Sequence, residues 1–237
     1  MQRRRRYERP NLEEMERLKR EEALAKWIPK TRLGKEVLEK KITDIDDILN
    51  SGTLIKESEI VDTLVPNMKN ELILIGGRAG KGGGIQRIPV KITATMHKSG
   101  RRFTTNAFMV VGNEDGLIGI AKGSALESRD SIEKSIKKAK LKIMRIKRGC
   151  GHWECGCGQL HTIPFKTEGH CGSVKVRLMP APKGVGLVAD DQSKKIFKLA
   201  GIKDIWVKTF GNTSARINLI SAIYDALKKL YVYERGD

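Results

Sequence analysis

The stretch Ile88-Pro89-Val90-Lys91-Ile92-Thr93-Ala94-Thr95-Met96-His97-Lys98-Ser99-Gly100-Arg101-Arg102-Phe103 decides the fold class. Ile88, Val90, Ile92, Ala94 and Met96 alternate with mostly polar neighbours, which is the period of a half-buried strand. Ser99-Gly100 supplies a tight turn, and Phe103 to Val111 reads as the returning strand. Asn113-Glu114-Asp115-Gly116 is a second turn, leading into a short strand at Leu117–Ala121. Beyond Gly123 the period becomes helical. Ile132, Ile136, Ala139, Ile143 and Ile146 fall on one face of a helix over Ile132–Lys147, while Lys134, Lys137, Lys138 and Lys142 project elsewhere. A three-stranded meander with one helix packed across it is an α+β unit.

Outward from this unit the chain keeps the same character. A Gly-, Cys- and His-rich linker spans Gly149–His161, and a second α+β unit runs from Thr162 to Tyr233. Its strands are read at 162–168, 173–179 and 186–189, followed by a helix from Gln192 to Ala200 that Gly201 stops. Ile202–Phe210 is a further strand, and Gly211-Asn212-Thr213-Ser214 opens a last helix with Ile217, Ile220, Ile223 (or Tyr224) and Leu227 inward. Toward the N-terminus, a basic tail leads into a helix from Asn11 to Lys26, broken by Trp27-Ile28-Pro29. Thr43 and Asp46 have capping-box spacing for a short helix through Ile45, Ile48 and Leu49. Another helix spans Ser58 to Leu64, stopped before Pro66. The divisions are a tail and helical extension at 1–66, a first unit at 67–148, a linker at 149–161 and a second unit at 162–233.

The chain has 237 residues, with 46 Lys+Arg against 28 Asp+Glu and a net charge of +18. No apolar run approaches the roughly 18 residues that a membrane-spanning helix needs. Met1 to Arg6 has the charge of a signal peptide with no apolar segment after it, so export is not expected. The charge is unevenly placed. Residues 31–71 carry six basic and nine acidic side chains, and this segment is expected to face protein. Leu72 to Asn113 holds no acid while Arg78, Lys81, Arg87, Lys91, Lys98, Arg101 and Arg102 are basic. A second acid-free block, Lys134 to Trp153, carries a further run of Lys and Arg. Blocks of one sign repel themselves unless a polyanion neutralises them. Between 72 and 113 the aromatic residues are Phe103 and Phe108, too few to act as stacking platforms along a single strand, so folded RNA is favoured.

Two glycine-rich stretches invite a nucleotide reading. Gly76–Gly84 lacks the Gly-x4-Gly-Lys-Ser/Thr spacing of a phosphate loop, since Lys81 is followed by Gly82, and reads as a flexible basic loop lying on a phosphate backbone. Pro180-Ala181-Pro182-Lys183-Gly184-Val185-Gly186 lacks the serines of a kinase-type loop; it is either a structural turn or a place where backbone meets RNA phosphate. Asp190-Asp191 directly precedes a helix and reads as its cap. No histidine is paired with a nucleophile by any local motif, so no catalytic residue is assigned.

Cys150-x4-Cys155-x-Cys157-x3-His161 is the sharpest chemical feature. Three thiolates and an imidazole can complete a closed, structural Zn²⁺ site, with Gly149, Gly151, Gly156 and Gly158 letting so short a loop fold around the ion. His152 competes for the fourth position, and free thiols in a reduced cytosol are the alternative. Cys171 and His170, at a strand start, read as a buried thiol and a surface imidazole.

Gly100-Arg101-Arg102-Phe103, then Val110-Val111-Gly112-Asn113 with Gly116 and Gly119, and the Ile132–Lys147 helix resemble the N-terminal domain of the small-subunit ribosomal protein S-five family. Gly172-Ser173-Val174, the run Leu178–Gly186 and Leu199-Ala200-Gly201-Ile202 resemble its C-terminal domain. Trp27-Ile28-Pro29, Thr31, Leu33-Gly34 and Ile55–Asp62 are similar to the extension of archaeal and eukaryotic members, and the cysteine cluster is similar to archaeal ones. The resemblance implies a double-stranded-RNA-binding-like β-β-β-α domain, then a domain of the S-five domain-two type with a left-handed β-α-β crossover. It implies a cytoplasmic constituent of the small ribosomal subunit that binds small-subunit rRNA near the mRNA entry channel, beside an S-four family protein, and supports translational accuracy. By it the hairpin tip Lys98–Arg102 reaches rRNA. The residues assigned to RNA contact are Arg87, Lys91, Lys98, Arg101, Arg102, Lys122, Arg145, Arg148, Lys183 and Arg216. No homo-oligomer, membrane partner or catalysis is expected; the alternative reading is a free-standing RNA-binding regulator.

Overall fold

A computed structural model describes residue 24, residues 26–80 and residues 82–232. Of the helix read from Asn11 to Lys26, only Leu24 and Lys26 are among these; the basic tail lies outside them. Three short helices come first: α1 (Arg32–Leu38), α2 (Ile45–Ser51) and α3 (Ser58–Leu64). The last matches its expected limits. No sequence signal had been assigned to α1, which starts where Thr31 Oγ1 accepts the Gly34 N–H at 3.1 Å. The cap of α2 is Asp44 rather than Thr43.

The strands β1 (Lys69–Leu72), β2 (Gly76–Ala79), β3 (Ile85–Ile88), β4 (Val90–His97), β5 (Gly100–Gly112) and β6 (Leu117–Ala125) follow, then α4 (Ser128–Leu141) and β7 (Ile143–Arg145). The first sheet is therefore five-stranded, in order β1-β5-β6-β7 with β4 also on β5, where the sequence suggested a three-stranded meander. The expected helix over Ile132–Lys147 gives way at Leu141, and Ile143–Arg145 pairs with Leu117–Gly119 as an edge strand. The physical reason is that β6 lies buried beneath α4, and its outer edge needs partners for its N–H and C=O groups. The face of α4 also differs from expectation. Ser131, Ser135, Ala139 and Lys140 are the buried residues, while Ile132 and Ile136 are only half-buried. Gly119 and Gly123 explain this: a Cβ on them would stand 2.2 Å from Ala139 O and 2.1 Å from Ser131 O. Small residues on helix and strand let the two backbones meet.

Away from the β4–β5 hairpin the first sheet is covered on both faces. Phe108, Val110, Ile118 and Ile120 join one cluster with the second unit, while Val111, Leu117 and Ala121 join another with α1–α3 and α4. Charge fastens the extension to this sheet. Lys140 Nζ lies 2.6 Å from Asp62 with side-chain exposures of 10% and 15%, and Arg145 pairs with Asp46. Glu57 accepts Trp27 Nε1–H at 2.8 Å and the Thr31 N–H at 2.7 Å. Acids of the 31–71 segment thus face this chain's own basic helix and strand, a partner the sequence reading did not consider. Asp62→Ala is expected to cost about 3 kcal/mol in urea unfolding, because it strands a buried ammonium. A loss below about 1 kcal/mol would mean that Lys140 reaches water instead.

The second unit comprises β8 (Thr167–Cys171), β9 (Val174–Pro180), β10 (Leu187–Val188), α5 (Asp191–Leu199), β11 (Ile205–Phe210) and α6 (Arg216–Val232). Its sheet runs β10-β11-β9-β8, with β10 and β11 parallel and α5 between them in sequence. Two expected strands start three or more residues later than read, and the one read at 186–189 narrows to Leu187–Val188. Residues 162–166 are not strand; Thr162 only bridges Gly149, closing the linker, and Pro164 cannot donate to a ladder. Residues 202–204 instead finish the turn after α5, where Gly201 (φ +74°) donates to Lys198 O and Ile202 to Phe197 O, each at 3.0 Å. Asp190 caps α5 as expected, accepting the Gln192 N–H at 3.2 Å. The turn Asn113–Gly116 ties the units together: Glu114 N and Gly116 N donate to Leu199 O and Ala200 O, the carbonyls that α5 leaves open.

Candidate nucleic-acid interface and metal centre

Register assigns the β4–β5 hairpin two unlike faces. Ile92, Ala94 and Met96 stand opposite Thr105, Phe103 and Arg101, whereas Lys91, Thr93 and Thr95 stand opposite Asn106, Thr104 and Arg102. The alternation in β4 had suggested a half-buried strand, but β4 is exposed on both faces: Ile92 is 63% exposed, Met96 75% and Phe103 54%. Among the described residues neither core cluster reaches β4, and the hairpin runs on past the part of β5, Met109–Gly112, that β1 flanks. The result is an amphipathic arm. Its tip carries Lys98, Arg101 and Arg102, with Arg101 lying 5.5 Å over the Phe103 ring and Arg102 Nη2 donating to Ser99 Oγ at 3.1 Å.

The glycine cluster beside the arm is not a loop throughout. Gly76–Ala79 and Ile85–Ile88 pair as a two-stranded hairpin, and only its tip is irregular. Arg87 lies half-buried on β3, and Arg78 is exposed on β2. Lys91, Lys98, Lys122 and Lys183 are exposed; Arg145, Arg148 and Arg216 are engaged within the chain. Arg145 pairs with Asp46, Arg148 pairs with Asp115 at the seam between units, and Arg216 Nη1 lies 2.5 Å from Asp190. These acids lie 99, 33 and 26 positions away, so no local pattern announces them. Glu168 likewise engages Lys175 (2.8 Å) and Arg177 (2.6 Å), whose contacts hold its carboxyl down to about 2.

The loop after β9 is the part whose chemistry changes most. Its amides all have partners inside the protein. Gly184 N and Gly186 N donate to Asp204 Oδ1 at 3.1 and 2.8 Å, Val185 N to Pro182 O at 3.4 Å, and the Lys183 N–H points at the Cys155 sulfur. The amides at 184–186 are therefore engaged within the protein, as a structural turn requires. The Lys183 and Val185 side chains face outward, and Lys183 carries the charge.

Cys150, Cys155, Cys157 and His161 come together with all ligand atoms within 4.8 Å. Cys155 Sγ is 3.2 Å from Cys157 Sγ and 3.5 Å from His161 Nε2, and Cys157 Sγ is 3.6 Å from Cys150 Sγ. A tetrahedral Zn²⁺ with Zn–S of about 2.3 Å and Zn–N of about 2.0 Å asks for S···S near 3.8 Å and S···N near 3.5 Å. The donor set and spacing fit such an ion. The sulfurs are too far apart for a disulfide, whose bond is about 2.05 Å. His152, the competitor for the fourth position, turns away: its Nδ1 accepts the Glu154 N–H at 3.2 Å, and its ring meets Trp206 edge-on. Burial, then the neighbouring sulfurs, pushes the Cys150 thiol up to about 11, while the Lys183 N–H, then Cys157, brings Cys155 down to about 6. Crowded sulfurs that cannot all ionise together are what a bound cation relieves.

Behind the cluster, His161 is 3% exposed, and its Nδ1 lies 2.8 Å from Asp204 Oδ2. Sequence reasoning missed Asp204 entirely. It lies 43 positions from His161, and in Gly201-Ile202-Lys203-Asp204 it looks like any loop acid. Cys171 is half-buried against the core and His170 exposed, apart from the cluster.

Comparison with known proteins agrees with this architecture. The family described as "Ribosomal protein S5, N-terminal domain" matches residues 86–147, and "Ribosomal protein S5, C-terminal domain" matches residues 169–236. The chain is 48% identical over 204 residues to "Small ribosomal subunit protein uS5" of Methanocaldococcus jannaschii, covering 86% of this chain and 87% of that one. It is 46% identical to that of Nanoarchaeum equitans over 207 residues, covering 87% and 89%. With that of Thermofilum pendens it shares 44% over 211 residues, covering 89% and 97%. Matching both domains in order, and archaeal relatives along most of its length, the chain belongs to the ribosomal protein S5 family.

Proposed function

We propose that this chain is a constituent of the small ribosomal subunit, cytoplasmic with it, and binds small-subunit rRNA through the β4–β5 arm. As a ribosomal structural protein it is not an enzyme. The observation that carries the reading is the arm itself: an acid-free hairpin, exposed on both faces, with Lys91, Lys98, Arg101 and Arg102 on it. Lys122 and Lys183 extend the cationic surface, with Arg87 beside the arm, whereas Arg145, Arg148 and Arg216 would first have to leave their carboxylates. The family resemblance supports a place near the mRNA entry channel, beside an S-four family protein, and a role in translational accuracy. We also read the Cys150–Cys155–Cys157–His161 cluster as a structural Zn²⁺ site, and the chain as two RNA-facing units at 67–148 and 162–233 joined by the 149–161 linker.

Binding of an rRNA transcript should weaken steeply with salt, because each lysine or arginine on a phosphate releases counterions. Changing both Arg101 and Arg102 to Ala should reduce the log–log salt slope by about 2. An unchanged slope would take the arm off the RNA. Stoichiometric co-sedimentation with small subunits separates this reading from a free-standing RNA-binding regulator, which would not travel with them.

A further inference from the structure

The metal cluster and the Ala181–Gly186 loop are joined by more than proximity. Asp204 is 5% exposed and uses both oxygens: Oδ2 faces His161 Nδ1 at 2.8 Å, and Oδ1 accepts from Gly184 and Gly186. Lys203 N and Asp204 N in turn donate to His161 O, at 2.8 and 3.1 Å, so the acid is anchored to the residue it orients. Gly184 (φ +95°) and Gly186 (φ +75°) hold left-handed conformations in which an added Cβ would meet nothing within 4 Å. Their amide bonds to Asp204, with Val185 N on Pro182 O and Ile205 N on Gly186 O, set the course of the loop.

We propose that the metal centre is the fastening of this loop, acting through His161 and Asp204 so that the backbone is locked and the Lys183 side chain faces outward. The inference rests on the Zn²⁺ reading above. A metal on Nε2 leaves Nδ1 as the protonated nitrogen, so the ring must donate to Asp204 Oδ2 and hold that carboxylate in one orientation. With the carboxylate fixed, Oδ1 points at the two glycine amides. Without the metal the ring is free to turn and the carboxylate loses its guide. Asp204 is thus a positioning residue: it touches neither metal nor RNA and transmits the order of one to the other.

Amide exchange of the full chain, followed residue by residue by NMR, tests this alongside zinc content. In zinc-loaded protein the Gly184 and Gly186 amides should be protected, and stripping with a chelator should speed their exchange at least about tenfold while Val110 and Ile120 hold. Asp204→Asn keeps an acceptor for the glycines but offers His161 only a poor one. It should therefore weaken zinc binding about 10- to 100-fold while leaving the loop protected at saturating zinc. Three results would overturn the proposal: loop exchange indifferent to zinc removal, a rise at every amide including Val110, or an Asp204→Asn variant with unaltered zinc affinity. Protein that takes up no zinc removes the metal reading itself, and metal analysis alone reports that.

Discussion

Gly169→Ala is expected to unfold the C-terminal unit, or to cost at least about 4 kcal/mol where the chain still folds. A Cβ at 169 would stand 1.9 Å from Ala222 O and 2.6 Å from Ala226 N. Both are backbone atoms of α6, so no side chain can turn aside to make room. Shifting the helix would instead disturb Leu219, Ile220, Ile223 and Leu227, all in the shared core. Gly84→Ala supplies the control, since nothing lies within 4 Å of the added carbon; it should stay within about 0.5 kcal/mol. Urea midpoints measured side by side decide the matter. Equal midpoints would show that α6 does not lie on β8 at backbone contact. The same close approach at Gly123 under Ser131 and Ser135 predicts a comparable loss in the first unit.

Cys157→Ser is expected to abolish metal binding and lower the melting temperature by about 8–16 °C relative to zinc-loaded protein. Cys157 sits between the other two thiols, 3.2 Å from Cys155 and 3.6 Å from Cys150, so its loss opens the cluster at its centre. With free zinc at about a thousand times the dissociation constant, bound metal stabilises by about 4 kcal/mol. For a chain of this size each kcal/mol moves the midpoint by about 2–4 °C. A chelator should produce the same drop in the unmodified protein and none in the variant. A midpoint indifferent to the chelator, in protein shown to contain zinc, would remove the metal's structural role.

Where neighbours in sequence decide the conformation, the reading was accurate. The limits of α3 follow from Ser58 and from Pro66 beyond it, and the end of α5 follows from Gly201, whose positive φ the structure retains. The Cys150–Cys155–Cys157–His161 cluster is legible for a related reason: three thiols and an imidazole lie within twelve residues, and the structure brings them together. Periodicity was less sufficient. Ile136, Ala139 and Ile143 fit a helical face, but the need of β6 for an edge partner took Ile143 into a strand. In β4 the alternation correctly marks two unlike faces, yet alternation cannot say whether anything covers the apolar one.

Charge divides the same way. The excess of +18 and its two acid-free blocks are properties of the sequence, and they point to a polyanion before any fold is known. Which cations remain available is not. Lys140, Arg145 and Arg148 lie in the same acid-free block as exposed lysines, and Arg216 far beyond it, but folding sets each against a carboxylate from a distant segment. Asp204 is the sharper case, an ordinary loop acid until the chain closes around it and its two oxygens meet His161 and the glycine amides. Local pattern and residue identity were enough for the two α+β units, the capped ends of α5 and the family. Which charges neutralise one another, which apolar face stays uncovered and which acid stands behind His161 are settled only by the tertiary structure. Those depend on distances between residues that the chain order keeps far apart.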